Sequence, residues 1–289
     1  MTPTPAEKNV LTVLESCFKI VPGMEAELAE LQGRFWPVAT SQPGFISVQV
    51  GTIVNSTWLY FGVRFESKNQ MDAWHRHPGH QVIQKMGYAK FWTALYLRKW
   101  RVALPGEAPG ERLMCETRLV TKSPLTPEQL ASLKPMLDGI GDAGALRFET
   151  LTGEYEPQPY QFVAPVQITP AVDGTMYALI THWSSASAIE AWRESAGYRL
   201  LPALGDVSSE TFVPAVEDEA RDRLRPDRLQ RDWVLAGQPP ELLSLLIDRE
   251  KAYMRERNAQ PLSIAAEEFD VAKEEASLRT PREYVSATL

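Results

Sequence analysis

Three of the chain's four histidines fall in one short run, His75-Arg-His77-Pro-Gly-His80. A neutral imidazole near pH 7 is the natural base for a phenolic proton or a proton beside a carbonyl. Helix ends also place histidines as caps or in solvent contact. His75 is assigned to that role, and His77 and His80 are kept as candidate proton-transfer groups. The spacing also raises a metal site, but Pro78 interrupts any shared helix face. No neighbouring Cys or Asp/Glu pattern completes a tetrahedral set, so no metal is expected. A second constellation follows at Trp92, Tyr96 and Arg98. Residues two and four apart on a strand share a face, which would make a polar-aromatic wall or a row of core residues. With Trp74, Phe61, Phe35, Trp36 and Phe91 in the same hundred residues, these groups suit a flat apolar ligand held by a few polar contacts.

The elements that must position them come from a repeat. Residues 57–79 (TWLYFGVRFESKNQMDAWHRHPG) align without a gap on residues 175–197 (TMYALITHWSSASAIEAWRESAG) at an offset of 118. Phe65 meets Trp183, Ser67 meets Ser185, and Ala73-Trp74 meets Ala191-Trp192. A second pair of segments, around Cys17 and Cys115, aligns at an offset of 98. A period near a hundred residues is too long for a solenoid and indicates two copies of one small domain. Copy one reads as strand 10–20, helix 24–39, strand 45–54, strand 58–65, helices 68–76 and 78–87, and strand 91–103. Ser67 is the expected N-cap of the helix that carries Trp74. This β-α-β-β-α-β order is the ferredoxin-like pattern. Copy two reads as strand 112–120, helix 127–137, strand 145–153, a Pro-rich insertion over 156–170, strand 175–183, helix 186–193 and strand 210–216. The insertion is expected to be a lid or a rigid surface loop. The expected organisation is a tail over 1–9, a first domain over 10–104, a linker over 105–111, a second domain over 112–216 and a helical extension over 217–289.

Bulk properties narrow the function classes. The 289 residues carry a net charge of −7, with no basic stripe to release counterions from a polyanion, so no nucleic-acid partner is expected. No apolar run approaches the length of a bilayer span, and residues 1–9 lack the pattern of a signal peptide. The expectation is a soluble cytoplasmic protein with no membrane partner, a monomer or homodimer, its two cysteines free and buried. No phosphate-binding Gly loop, nucleophile elbow or dinucleotide fingerprint appears.

Over 65–92, FESKNQMDAWHRHPGHQVIQKMGYAKFW, the sequence resembles the antibiotic biosynthesis monooxygenase family of the dimeric α+β barrel superfamily. The likeness rests on a strand-end aromatic, Ser67, the helix with Ala73-Trp74, then His77-Pro78 and His80, after the turn Gln42-Pro-Gly-Phe45. It covers copy one well and copy two through Trp183 and Ala191-Trp192. The resemblance implies an α+β fold in which two tandem ferredoxin-like domains form an intrachain pseudo-dimer. It also implies a cofactor-independent oxygenation of a polycyclic aromatic polyketide, anthrone or phenol to quinone, with molecular oxygen as co-substrate. A diffusing reduced flavin stays open. By the same resemblance Trp74 would line the site and Arg98 would bind substrate oxygens. Haem degraders of this fold carry an axial His after the helix Trp, and the run Gln81-Val82-Ile83-Gln84 offers none. The first-strand Asn of many family members is replaced here by the region of Ser16, Cys17 and Lys19. Cyclisation, isomerisation, ring cleavage or a non-catalytic aromatic-binding role therefore remain alternatives.

Overall fold

The computed structural model describes residues 10–108, 110–146 and 160–215. The expected extension over 217–289 and the tail over 1–9 lie outside the described residues, as do most of 145–153 and the start of 156–170. In the first half, β1 (Thr12–Ile20) leads to α1 (Glu25–Thr40), β2 (Phe45–Thr52), β3 (Trp58–Phe65), α2 (Lys68–Arg76), α3 (Pro78–Met86), one π-helical turn (Gly87–Phe91) and β4 (Trp92–Val102). In the second half, β5 (Leu113–Thr121) leads to α4 (Pro127–Ser132), α5 (Lys134–Asp142), the short β6 (Ala145–Leu146), β7 (Tyr160–Thr169), β8 (Thr175–Trp183), α6 (Ala186–Arg193), one 3₁₀ segment (Tyr198–Ala203) and β9 (Asp206–Pro214).

Sheet order is β5-β9-β4-β1-β3-β2-β7-β8, and β8 pairs back to β5, so eight strands close a barrel, with β6 appended to β8. Within the first half the order is fourth, first, third, second strand. The second half repeats it as β9, β5, β8, β7. The halves join second strand to second strand through β2 and β7, and fourth to fourth through β4 and β9. Closure pairs each of the eight barrel strands on both sides.

The register corrects the sequence alignment. Thr12 pairs with Phe65 and Leu113 pairs with Trp183. Phe65 and Trp183 are repeat counterparts, so the first strands correspond at an offset of 101 rather than 98. Glu15 is therefore the counterpart of Glu116, while Cys17 and Cys115 are not equivalent. Because side chains alternate along a strand, the three-residue slip puts the two cysteines on opposite faces. Cys17 packs inside the barrel and Cys115 packs on the helix side. The insertion expected as a loop is, over most of its length, β7. Its alternation sends Val163 inward and Phe162 outward, and a register shift between Val163 and Val166 accommodates Pro165. The helix expected over 127–137 is two, broken at Leu133, with the proline of α5 at its first turn.

Burial divides into three layers. The barrel interior holds Val13, Cys17, Trp58, Tyr60, Trp100, Met114, Ile180 and Phe212. Outside the sheet, α1, α2 and α3 cover the first half, and α5 and α6 cover the second. Helix α1 buries Leu28, Leu31, Phe35 and Val38, the 3-4 spacing of one helical stripe. Among the described residues no helix is long and apolar enough to cross a membrane.

Candidate functional site

Ser67 caps α2, its hydroxyl accepting the Gln70 N–H, as the serine's place before the helix predicts. From that start, Met71, Trp74 and His75 fall at i, i+3 and i+4 and face the sheet. Asp72 pins the same helix to β4, accepting from Lys99 Nζ at 2.6 Å and Lys68 Nζ at 2.5 Å. Burial alone would raise the Asp72 carboxyl, but the two ammonium groups overcome this and hold it below its ordinary value. Helix α2 stops at His77, whose extended backbone precedes Pro78, the first residue of α3.

His77 is 1% exposed. Its Nδ1 accepts the Gly79 N–H at 3.2 Å, so the neutral ring carries its proton on Nε2. Nε2 has no hydrogen-bond partner among the described residues. Burial pushes the His77 pKa below its ordinary value, which keeps the ring neutral. The outcome is an uncharged, buried N–H donor beside the Trp74 ring. This differs from the expected base, because the lone pair of Nδ1 is committed to the helix cap.

Around His77 the rings are packed in parallel. Trp74 lies 6.3 Å from His77, 4.3 Å from His80 and 5.1 Å from Phe35, all with interplanar angles under 30°. His80 also faces His75 at 5.3 Å and Phe35 at 6.1 Å. His75, assigned to a solvent-facing cap, is instead buried. A second group of rings adjoins on the same side of the sheet. Phe18 stacks on Trp92 at 4.4 Å and meets Phe61 edge-on at 5.1 Å, and Trp36 lies 6.4 Å from Phe61. Trp92 lies against Gly87, where a Cβ would come within 2.4 Å of the indole, so only glycine fits there.

The expected wall of Trp92, Tyr96 and Arg98 does not form. Lys19 pairs with Ala94, but Ile20 pairs with Trp92, so β4 carries one extra residue in a bulge. That insertion flips Trp92 to the helix side. Arg98, opposite Glu15 and two residues before the interior Trp100, belongs to the barrel interior and is 8% exposed. The Tyr96 side chain lies outside the described residues. The structure therefore brings together Trp74, His77, His80, Phe35, Phe61 and Trp92 on the helix side, and separates Arg98 from them by the thickness of the sheet.

The interior holds polar groups that periodicity alone did not single out. Glu15, fully buried, accepts from Trp100 Nε1 at 2.7 Å and lies 3.0 Å from His182 Nε2. Glu116 accepts from Gln49 Nε2 at 2.8 Å and Arg118 Nε at 2.5 Å, and pairs with Arg64 at 3.0 Å. Arg64 also reaches Glu210 at 2.6 Å. Burial would raise the Glu116 carboxyl, but Arg64 and Arg118 outweigh it and leave the group below its ordinary value. Burial first, then the carboxylates of Glu116 and Glu15, push the Tyr60 phenol well up. A signal for these residues exists in the sequence. In Val13-Leu-Glu15-Ser-Cys17 and Tyr60-Phe-Gly-Val-Arg64, a charged residue occupies an inward position of an otherwise apolar strand.

No family model matches the chain, and no curated protein matches it significantly. Solved structures do. An anthrone oxidase-like protein is 19% identical, with 72% of this chain and 92% of that one covered and a TM-score of 0.29. A monooxygenase-like protein from Listeria innocua is 9% identical, covering 71% of this chain and 96% of that one, with a TM-score of 0.24. An aldoxime dehydratase in complex with butyraldoxime is 12% identical, covering 73% and 82%, with a TM-score of 0.45. Likeness at these identities and TM-scores carries no argument about chemistry.

Proposed function

We propose that the chain is an intrachain pseudo-dimer of two ferredoxin-like halves, and that its first half is a cofactor-independent oxygenase acting on a flat polycyclic phenol of the anthrone type. One observation carries this reading: a buried, neutral His77 whose Nε2–H has no partner among the described residues, set beside the parallel rings of Trp74, His80 and Phe35. An aromatic ligand is recognised by stacking, and a fixed, buried N–H donor stabilises an oxyanion that develops on it.

The chemistry divides accordingly. A base removes the acidic C–H proton of the substrate, and His80, less buried than His77, is the group proposed for it. His77 donates Nε2–H to the enolate oxygen. The carbanion passes one electron to O₂, the radical pair recombines as a hydroperoxide, and loss of water leaves the carbonyl of the quinone. One CH₂ and one O₂ thus become one C=O and one H₂O. No bound metal, haem or flavin is needed for that balance, since the substrate supplies the electrons. The polyketide origin of the substrate is part of the proposal and rests on the family resemblance.

The test is oxygen uptake by purified protein with an anthrone, alongside tryptophan fluorescence as a readout of binding. Uptake one-for-one with quinone formation, reduced about 100-fold in His77→Leu, is the expected result. Fluorescence quenching with no oxygen consumed would replace the enzyme with a binding protein, and no quenching at all would remove the aromatic ligand.

A further inference from the structure

We infer that the barrel interior is a charge-coded interface. The inner face of the first half fits the inner face of the second and rejects a second copy of itself. This goes beyond the pseudo-dimer proposed above, and it is independent of the chemistry assigned to the helix side.

The register makes the two halves comparable residue by residue. Gly62 and Ile180 are repeat counterparts, and they pair with Gln49 and Gln161 respectively, so these glutamines correspond. Likewise Glu15 corresponds to Glu116, Arg64 to His182, Arg98 to Glu210, and Trp100 to Phe212. Links then recur across the seam in matched form. The first-strand glutamate of each half reaches the third-strand base of the other, as Glu15 with His182 and Glu116 with Arg64. Beside each base lies the fourth-strand aromatic of the opposite half. Trp100 is 5.1 Å from the His182 ring, and Phe212 is 5.4 Å from the Arg64 guanidinium. Gln49 spans the seam to Glu116, and Cys17 spans it to Gln161.

One matched pair, Arg98 and Glu210, is opposite in sign, and the remaining inward charges fall where the other half is uncharged, as Lys19 opposite Val120 and Arg118 opposite Cys17 in the alignment. On the inward faces the first half places Lys19, Arg64 and Arg98 against one acid, Glu15. The second half places the buried Glu116 and, on the same face but exposed, Asp206 and Glu210 against one base, Arg118. Joined, the two sets cancel. Two copies of the first half would instead leave an excess of positive charge around the seam. In particular Arg64, which now lies 2.6 Å from Glu210, would meet the Arg98 of the other copy. Unpaired charge inside a barrel is far more costly than at a surface, and like charges at an interface suppress the wrong partner.

The experiment uses the full chain with a protease site in the 105–111 linker, cut after folding. The cut protein is unfolded in urea, refolded by dilution and examined by native mass spectrometry. One-to-one pairs of unlike halves are expected, with like pairs below about a tenth of them, because like charges at an interface suppress the wrong partner. A statistical mixture of like and unlike pairs would overturn the inference. Should the cut protein fail to refold, the uncut chain decides the matter through Arg64→Gln, Glu116→Gln and the double variant. Each single change is expected to lower the folding constant about 100-fold, and the double no further than the worse single. Losses that simply multiply would show that the charges do not recognise one another.

Discussion

Replacing His77 by leucine separates a functional histidine from a structural one. In the structure this ring performs one local task, accepting the Gly79 N–H at the start of α3. Losing such a cap costs about 1 kcal/mol. Against that, Nε2 is buried without a partner among the described residues, and an unsatisfied buried N–H costs about 1–3 kcal/mol. Leucine removes both terms while keeping an apolar side chain of similar bulk. The net change in stability therefore runs from zero to about 2 kcal/mol on the stabilising side. Turnover should nevertheless fall about 100-fold if that donor holds an oxyanion. The pH dependence supplies an independent check. The folded pKa of His77 lies below its ordinary 6.5, so its contribution is intact above that value and is lost as the pH falls from it through the folded pKa. Urea midpoints of the wild type should therefore decline on acidification from pH 6.5, and His77→Leu should lack that component. A leucine variant that loses 3 kcal/mol or more, or one that turns over normally, would refute the assignment of His77 as a donor to substrate.

Arg98 lies on the inner face, so Arg98→Met is expected to lower the urea midpoint, on the order of 1–3 kcal/mol, and to leave kcat and KM with an anthrone unchanged. A selective loss of turnover would return Arg98 to the substrate. Gly87→Ala forces a Cβ to within 2.4 Å of the Trp92 indole. The expected cost is about 1–3 kcal/mol, with altered tryptophan emission; an unchanged spectrum and midpoint would mean that the ring does not lie there. The depressed Glu116 carboxyl contributes stability above its ordinary 4.5 that disappears as pH falls through the lower folded value. Acid unfolding below that pH should be less steep in Glu116→Gln, and identical profiles would count against the buried pairing.

The strand order and the helices of the first half were legible because their patterns are strong. Leu28, Leu31, Phe35 and Val38 mark one stripe of α1, and Ser67 before Trp74 marks a capped helix start. What was hidden depended on single-residue phase. The extra residue near Thr93 turns Trp92 away from Arg98, and alternation cannot reveal a bulge that composition does not announce. The same phase error aligned Cys17 with Cys115, because matching residue types outweighed a three-residue slip that only backbone pairing exposes. β7 was obscured by Pro165 within it and by the prolines that flank it, because proline ordinarily demotes a strand. The stacked histidines were identified as a group, but the direction of the His77 proton was not. It depends on a hydrogen bond from Gly79 that exists only once α3 begins.

The halves share residues on both faces of the sheet, and what separates their roles is the histidine cluster on the helix side of the first. Inside, the counterparts Glu15 and Glu116 and Gln49 and Gln161 keep their identities, and Arg64 and His182 keep their basic character. On the helix side the cap serine, the Ala-Trp pair of the covering helix and the strand-end aromatic are kept, but the histidines are not. Trp74 is surrounded by His75, His77 and His80, whereas Trp192 packs against Trp183 and Tyr198. The counterpart of His75 is Arg193, which donates to Ser209 at 2.9 Å, Thr211 at 3.2 Å and Glu190 at 2.7 Å. A tryptophan retained in both settings serves packing first, since it is buried with or without histidine neighbours. Substituting Trp192 with phenylalanine should accordingly lower stability by about 1–2 kcal/mol without touching anthrone turnover, while Trp74→Phe should do both. Equal kinetic effects from the two variants would mean that both halves carry a working site, and that the histidine cluster is not what distinguishes them.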